Sequence, residues 1–155
     1  MQKFSKLVKD DTPMVRWGAA QAMAVIAHSM DSATIASFLL PLLKELLMDK
    51  NDSVKVHAVQ SSVVIAELLD DADLVQQSIV PSLKQAFQNK QSWRLRFAVA
   101  ENAAKIGKRL RREQVDQCIL PFYVTLLGDS EPEVRSESVN NLSSLASNCT
   151  TSLIV

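Results

Sequence analysis

The sequence predicts an all-α fold, a superhelix of about four stacked helix pairs, from three observations. Pro41, Pro81 and Pro121 recur every forty residues, each in an apolar frame: Leu39-Leu40-Pro41-Leu42-Leu43, Ile79-Val80-Pro81-Ser82-Leu83 and Ile119-Leu120-Pro121-Phe122-Tyr123. A second signature, an apolar residue followed by a basic one, recurs as Val15-Arg16, Val54-Lys55, Leu95-Arg96 and Val134-Arg135, at separations of 39, 41 and 39 residues. Only three glycines and five prolines interrupt a chain rich in Ala, Leu, Val, Gln and Ser, which favours helix over strand.

Each repeat reads as an A helix carrying the proline and an antiparallel B helix opening at the apolar-basic pair. Residues 1 to 10, with Phe4, Leu7 and Val8, read as the last turns of an A helix. The first B helix is expected over 13 to 29, where Ala19 and Ala20 let a neighbouring helix approach closely. An A helix over 34 to 48 follows, with Leu39, Leu40, Leu43, Leu46 and Leu47 on one face. The B helix over 53 to 69 carries an amphipathic stripe of Val54, Ala58, Val59, Ser62, Ile65, Ala66 and Leu69. The same reading gives A helices over 73 to 88 and 113 to 128, and B helices over 92 to 109 and 132 to 147. A proline inside A removes a backbone donor and crowds the preceding turn, so a bend is expected at the same place in each repeat. The turns Asp49-Lys50-Asn51-Asp52-Ser53 and Gly128-Asp129-Ser130-Glu131-Pro132 supply acceptors that cap the B helices.

The chain therefore divides into a partial repeat over 1–30, full repeats over 31–71, 72–111 and 112–148, and the start of another over 149–155. Solenoids close with polar end repeats. Here Leu153-Ile154-Val155 is apolar and the first A helix is incomplete, which reads as part of a longer array and predicts self-association through exposed ends.

The balance of 17 basic against 17 acidic side chains gives no pull toward nucleic acid or an anionic membrane. No stretch approaches the roughly 20 apolar residues of a membrane span, and Met1-Gln2-Lys3-Phe4-Ser5 does not resemble a secretory signal. Cys118 and Cys149 lack a Cys or His at metal-ligand spacing, which fits a reduced protein of the cytoplasm or nucleus. No nucleophile-base pair or glycine-rich phosphate loop stands out, so neither an enzyme nor a cofactor is expected.

Arg16, Lys55, Arg96 and Arg135 should form a row along the stack, able to pair with Asp10, Asp49 and Asp129 as exposed inter-repeat bridges. Lys90 stands where the third acid of that series is expected. Trp93 falls outside the apolar register of its helix, since Leu95 fills the key position; it is either an exposed Trp-Arg pair with Arg94 or a cover for the end of the helix pair. Trp17 is expected to bury its ring against the preceding A helix. The run Lys105, Lys108, Arg109, Arg111 and Arg112 reads as a solvated helix end.

Paired helices of about forty residues, with a proline in A and an Asp-to-Val-Arg stretch entering B, resemble HEAT repeats. More narrowly, Asp10-Asp11-Thr12-Pro13-Met14-Val15-Arg16, Asp52-Ser53-Val54-Lys55, Ser92-Trp93-Arg94-Leu95-Arg96 and Glu131-Pro132-Glu133-Val134-Arg135, in that order, are similar to the middle repeats of the scaffold (A) subunits of type 2A protein phosphatases. The resemblance implies a right-handed, noncatalytic scaffold whose intra-repeat turns form a ridge for a regulatory B subunit, the catalytic subunit using C-terminal repeats that lie outside this chain. It places Asp11, Pro13, Arg16, Asp52, Trp93, Arg94, Glu131 and Glu133 on or beside that ridge. Trp17-Gly18 departs from the basic and small residues expected after Arg16. The competing reading is another HEAT adaptor, such as a nuclear-transport receptor, using its B-helix face for cargo. The iron-binding HEAT-like hydroxylases are disfavoured, because neither His28 nor His57 is followed by Glu.

Overall fold

The computed structural model describes residues 2–150 and holds eight helices in two layers. The A layer comprises α1 (Gln2–Val8), α3 (32–47), α5 (72–87) and α7 (112–126). The B layer comprises α2 (Pro13–Ala27), α4 (Asp52–Leu68), α6 (Trp93–Gly107) and α8 (Pro132–Ala146). Within the B layer α2 packs on α4, α4 on α6 and α6 on α8, while each A helix backs the B helix that follows it. This is the nearest-neighbour architecture of a solenoid. The expected bounds hold to within about two residues at each end, the ordinary uncertainty of a helix terminus.

The apolar frame around each proline faces inward as its spacing requires. Leu39, Leu43 and Leu46, then Ile79 and Leu83, then Ile119, Tyr123 and Leu126 are all essentially excluded from solvent. Tyr123 brings a polar atom into this core, and its hydroxyl lies 3.0 Å from the Ser138 carbonyl and 3.3 Å from that of Ala100. Burial pushes that phenol up to about 12, so it stays a neutral donor. Among the described residues no buried side-chain nitrogen or oxygen lacks a partner.

Each proline disturbs its helix upstream. In α3 the stretch Ile35–Leu39 is π-helical, and the Leu40 N–H reaches back to the Ile35 carbonyl. The wider turn accommodates the Pro41 ring, which would otherwise crowd the carbonyl four residues before it. Val115–Ile119 repeats this ahead of Pro121, with the Leu120 N–H on the Val115 carbonyl. In α5 the helix is instead interrupted at Ile79, between Ala72–Ser78 and Val80–Phe87.

Aspartates start two of the A helices: Asp31 Oδ1 accepts from the Thr34 N–H at 2.7 Å, and Asp71 Oδ1 from the Asp73 N–H at 2.8 Å. At α7 no acid caps; Gln114 Oε1 accepts from the Arg111 N–H at 2.9 Å. No helix among the described residues is long and apolar enough to cross a membrane. The apolar end Leu153-Ile154-Val155, and with it most of the expected further repeat, lies outside the described residues.

Candidate partner-binding ridge

The topology places every turn from an A helix to its B helix on one edge of the stack. Four such turns, at 9–12, 48–51, 88–92 and 127–131, make a ridge continuous with the first residues of α2, α4, α6 and α8.

Below the crest the turns are fixed by a repeated charge geometry. Arg16 donates through Nε and Nη2 to the two carboxylate oxygens of Asp49 at 2.6 and 3.1 Å, and through Nη1 to the carbonyls of Asp10 and Asp11 at 2.7 and 3.0 Å. Arg96 does the same two interfaces further on: Nε and Nη2 to Asp129 at 2.6 and 2.8 Å, Nη1 to the carbonyls of Asn89 and Lys90 at 2.9 and 3.1 Å. One guanidinium thus ties its own turn to the next. Contrary to the expected exposed bridges, all four side chains are nearly buried, at 7–8% exposure. Such bidentate, desolvated pairs are the strong kind.

These contacts set the carboxyl groups. The Arg96 guanidinium, against the opposing cost of burial and with help from the Glu131 N–H, holds the Asp129 carboxyl below its ordinary range. For Asp49 burial pushes upward, but Arg16 and the Asn51 N–H together outweigh it and the net shift is downward.

The second interface lacks the fork. Lys55 turns instead to Asp52 in its own repeat, at 2.6 Å. The residue facing that gap is Asn89, whose Oδ1 accepts from the N–H groups of Gln91 and Ser92 as Asp49 and Asp129 accept from Asn51 and Glu131. Asn89, not Lys90, therefore holds the acid's place. The 41-residue separation at this repeat puts one extra residue in the turn, so counting back five from Leu95 stops one residue short of it.

The crest divides the ridge residues anticipated from sequence into two groups. Asp11, Pro13, Arg94 and Glu133 are exposed, and Asp52, Trp93 and Glu131 are half-buried. Arg16 lies beneath the crest at 7% exposure, with its donors committed within the chain, so it supports the ridge and is not displayed on it. Arg94 sits over the Trp93 ring, 4.8 Å from its centroid, and Trp93 also packs against the core. Both readings of Trp93 thus apply to one residue: part of the ring covers the helix end, and part is presented with a cation stacked on it. Trp93, Arg94, Ser92 and Gln91 line a depression of about 250 Å³ with Asp52 and Ser53 of the preceding repeat. Lys55 first, and Ser92 as well, hold the Asp52 carboxyl below its ordinary range.

A second depression, of about 310 Å³, lies one repeat earlier between Pro13, Met14, Trp17, Asn51 and Ser53. Trp17 is half-buried against the core, and its ring packs edge-on to His57 of the next B helix at 4.8 Å. Met14 is 70% exposed; its position gives no signal in the sequence, since it precedes the apolar-basic pair and belongs to no core stripe. The basic run is partly consumed in inter-repeat ties: Arg109 donates to the carbonyls of Ala66 and Leu69, and Arg111 pairs with Asp73. Among the described residues no group of His, Cys, Asp and Glu could hold a metal ion.

Residues 119–149 match the HEAT repeat family. Over 107 residues, 69% of its length, the chain is 33% identical to the regulatory A subunit of protein phosphatase PP2A from Schizosaccharomyces pombe, covering 18% of that protein. The chain is a HEAT-repeat protein related to phosphatase 2A regulatory A subunits. A second relative, a probable regulatory subunit of the serine/threonine-protein phosphatase PP2A from Caenorhabditis elegans, is 36% identical over 70 residues, 45% of this chain and 12% of that one. This HEAT-repeat chain thus spans under a fifth of the length of the curated relatives it matches.

Proposed function

We propose that this HEAT-repeat chain is a noncatalytic scaffold element of a type 2A protein phosphatase, and that its turn ridge binds a regulatory B subunit. The observation that carries the reading is the pairing of a rigid base with an adhesive crest. Buried Arg–Asp forks fix the turns beneath Arg94 stacked on Trp93, with the exposed Met14 and half-buried Trp17 two turns away. Aromatic, Met and Arg side chains on a preorganised surface are the composition of interface hot spots. Asp11, Asp52, Glu131 and Glu133 supply polar contacts around them. The relatives' names point to the same assembly.

Catalysis belongs to a separate subunit in this reading, and the chain acts by geometry: repeats linked only to their neighbours bend collectively and set the spacing of bound proteins. The expected site of action is the cytoplasm and nucleus. The test is capture of purified phosphatase regulatory B subunits on the immobilised chain. Retention that is lost with Trp93→Ala and Arg94→Ala supports the proposal. Retention of a small GTPase with no phosphatase subunit would transfer the chain to the nuclear-transport reading.

A further inference from the structure

The outer face of the A layer carries a furrow between α5 and α7 that is lined by none of the crest residues. At the level of Pro81 and Pro121 it opens into a depression of about 490 Å³, lined also by Val80, Lys84 and Phe122. Toward the turns it opens again, into about 730 Å³ between Phe87, Lys90 and Thr125. Between the two depressions Phe87 stacks on Phe122, with ring centroids 5.5 Å apart. The equivalent positions between α3 and α5 hold Leu47 and Ser82, so the aromatic pair sets this furrow apart from the preceding junction.

Both ends of the furrow are tied. At the end away from the turns Gln76 bridges the two helices, accepting from the Gln114 amide at 2.5 Å and donating to Cys118 Sγ at 3.1 Å. At the turn end the Arg96–Asp129 fork spans the same junction. The walls are thus fixed before anything binds, which lowers the ordering cost of binding. The charge is one-sided. Lys84 and Lys90 are exposed, and neither has a salt-bridge partner among the described residues. The Asp129 carboxylate is consumed by Arg96, and no other acid among the described residues lines either depression. Lys84 lies in the last turn of α5, where the helix dipole favours a cation. Lys90 lies beyond that helix, and the dipole does not account for it.

We propose that this furrow docks an acidic amphipathic helix of a partner protein. Pro81 lines one depression and Gln88 the other, and seven residues at the helical rise place them about 10 Å apart along the furrow. Two turns of a docked helix cover the same distance, so large apolar side chains seven residues apart fill one depression each, astride the Phe87–Phe122 stack. Carboxylates flanking them reach Lys84 and Lys90. An extended segment covers the distance in three residues, and its period of two then points the two side chains to opposite faces. The furrow therefore suits a helix, and its unpaired lysines suit an acidic one.

Panning a phage library of random peptides of about 18 residues, five turns of helix, on the immobilised full chain tests this. The library is first depleted on a Lys84→Glu/Lys90→Glu variant whose helicity is checked by circular dichroism. The enriched sequences are expected to carry net negative charge and two large apolar residues seven apart. Synthesised and titrated by fluorescence anisotropy, they bind the wild type, lose affinity with added salt, and bind the lysine double variant about thirtyfold more weakly or worse. The same peptides with Lys in place of their acidic residues recover binding to the double variant, which also shows that the variant keeps its furrow. Trp93→Ala/Arg94→Ala binds them as the wild type does, so furrow and ridge stand or fall separately. The proposal is overturned if depletion leaves no peptide that binds, or if the enriched sequences are neutral or basic. It is overturned equally by apolar residues in the alternating pattern of an extended segment, by charge-reversed peptides that fail to recover binding, or by loss of binding with Trp93→Ala/Arg94→Ala.

Discussion

Replacing Asp129 by Asn keeps the shape of the third inter-repeat junction and removes the charge that Arg96 grips. The guanidinium remains nearly buried with its carboxylate gone. The expected cost is about 2 kcal/mol, the value of a hydrogen-bonded charge contact, read as a lower urea midpoint at unchanged slope. Acid acts on the same atoms. The Asp49 and Asp129 carboxyls sit below their ordinary range when folded. Their contribution is therefore complete above the unfolded value of about 3.9 and is lost as pH falls through the lower folded values. The urea midpoint should stay flat from neutral pH to about 5 and drop below about 4, and Asp129→Asn should show a smaller drop. The arginine row is legible in the sequence because its period matches the prolines. Its burial is not, since the exposure of Arg16 depends on how closely the next turn covers it. The place of Trp17 is hidden for a similar reason: its ring is held by His57, 40 residues away.

At the scale of elements, helix positions follow directly from apolar spacing, and the core face of each A helix is the one that spacing selects. What spacing could not reveal is how a helix absorbs its proline. The π-helical turns before Pro41 and Pro121 and the interruption at Ile79 before Pro81 are different solutions to one steric problem in nearly identical frames. The junction between α4 and α6 is the exceptional one, with Lys55 and Asn89 where its neighbours have Arg and Asp. Combining Lys55→Arg with Asn89→Asp should install the missing fork. The pair should be more stable than the sum of the single changes by about 1 kcal/mol in a double-mutant cycle. Hydrogen exchange in the 88–92 turn should slow in the double variant, because that turn gains the tie its neighbours already have.

For the whole molecule, a stack of nearest-neighbour contacts has no closed core of its own, so stiffness is set junction by junction. The second junction, which lacks the Arg–Asp fork, lies beside the Trp93–Arg94 crest. The stack and its ridge are legible from the forty-residue period and the four turn sequences. The division of ridge residues into those that display and those that support is not, because it depends on how repeats sit against one another. The proposed role of the ridge is decided by titration calorimetry of purified regulatory B subunits of type 2A phosphatase against the full chain, in the wild type and a Trp93→Ala/Arg94→Ala double variant. A binding ridge predicts saturable binding that the double variant weakens by at least about thirtyfold with helicity unchanged, the loss expected of a hot spot. Equal affinity of the two chains, or no binding by the folded wild type, would contradict it.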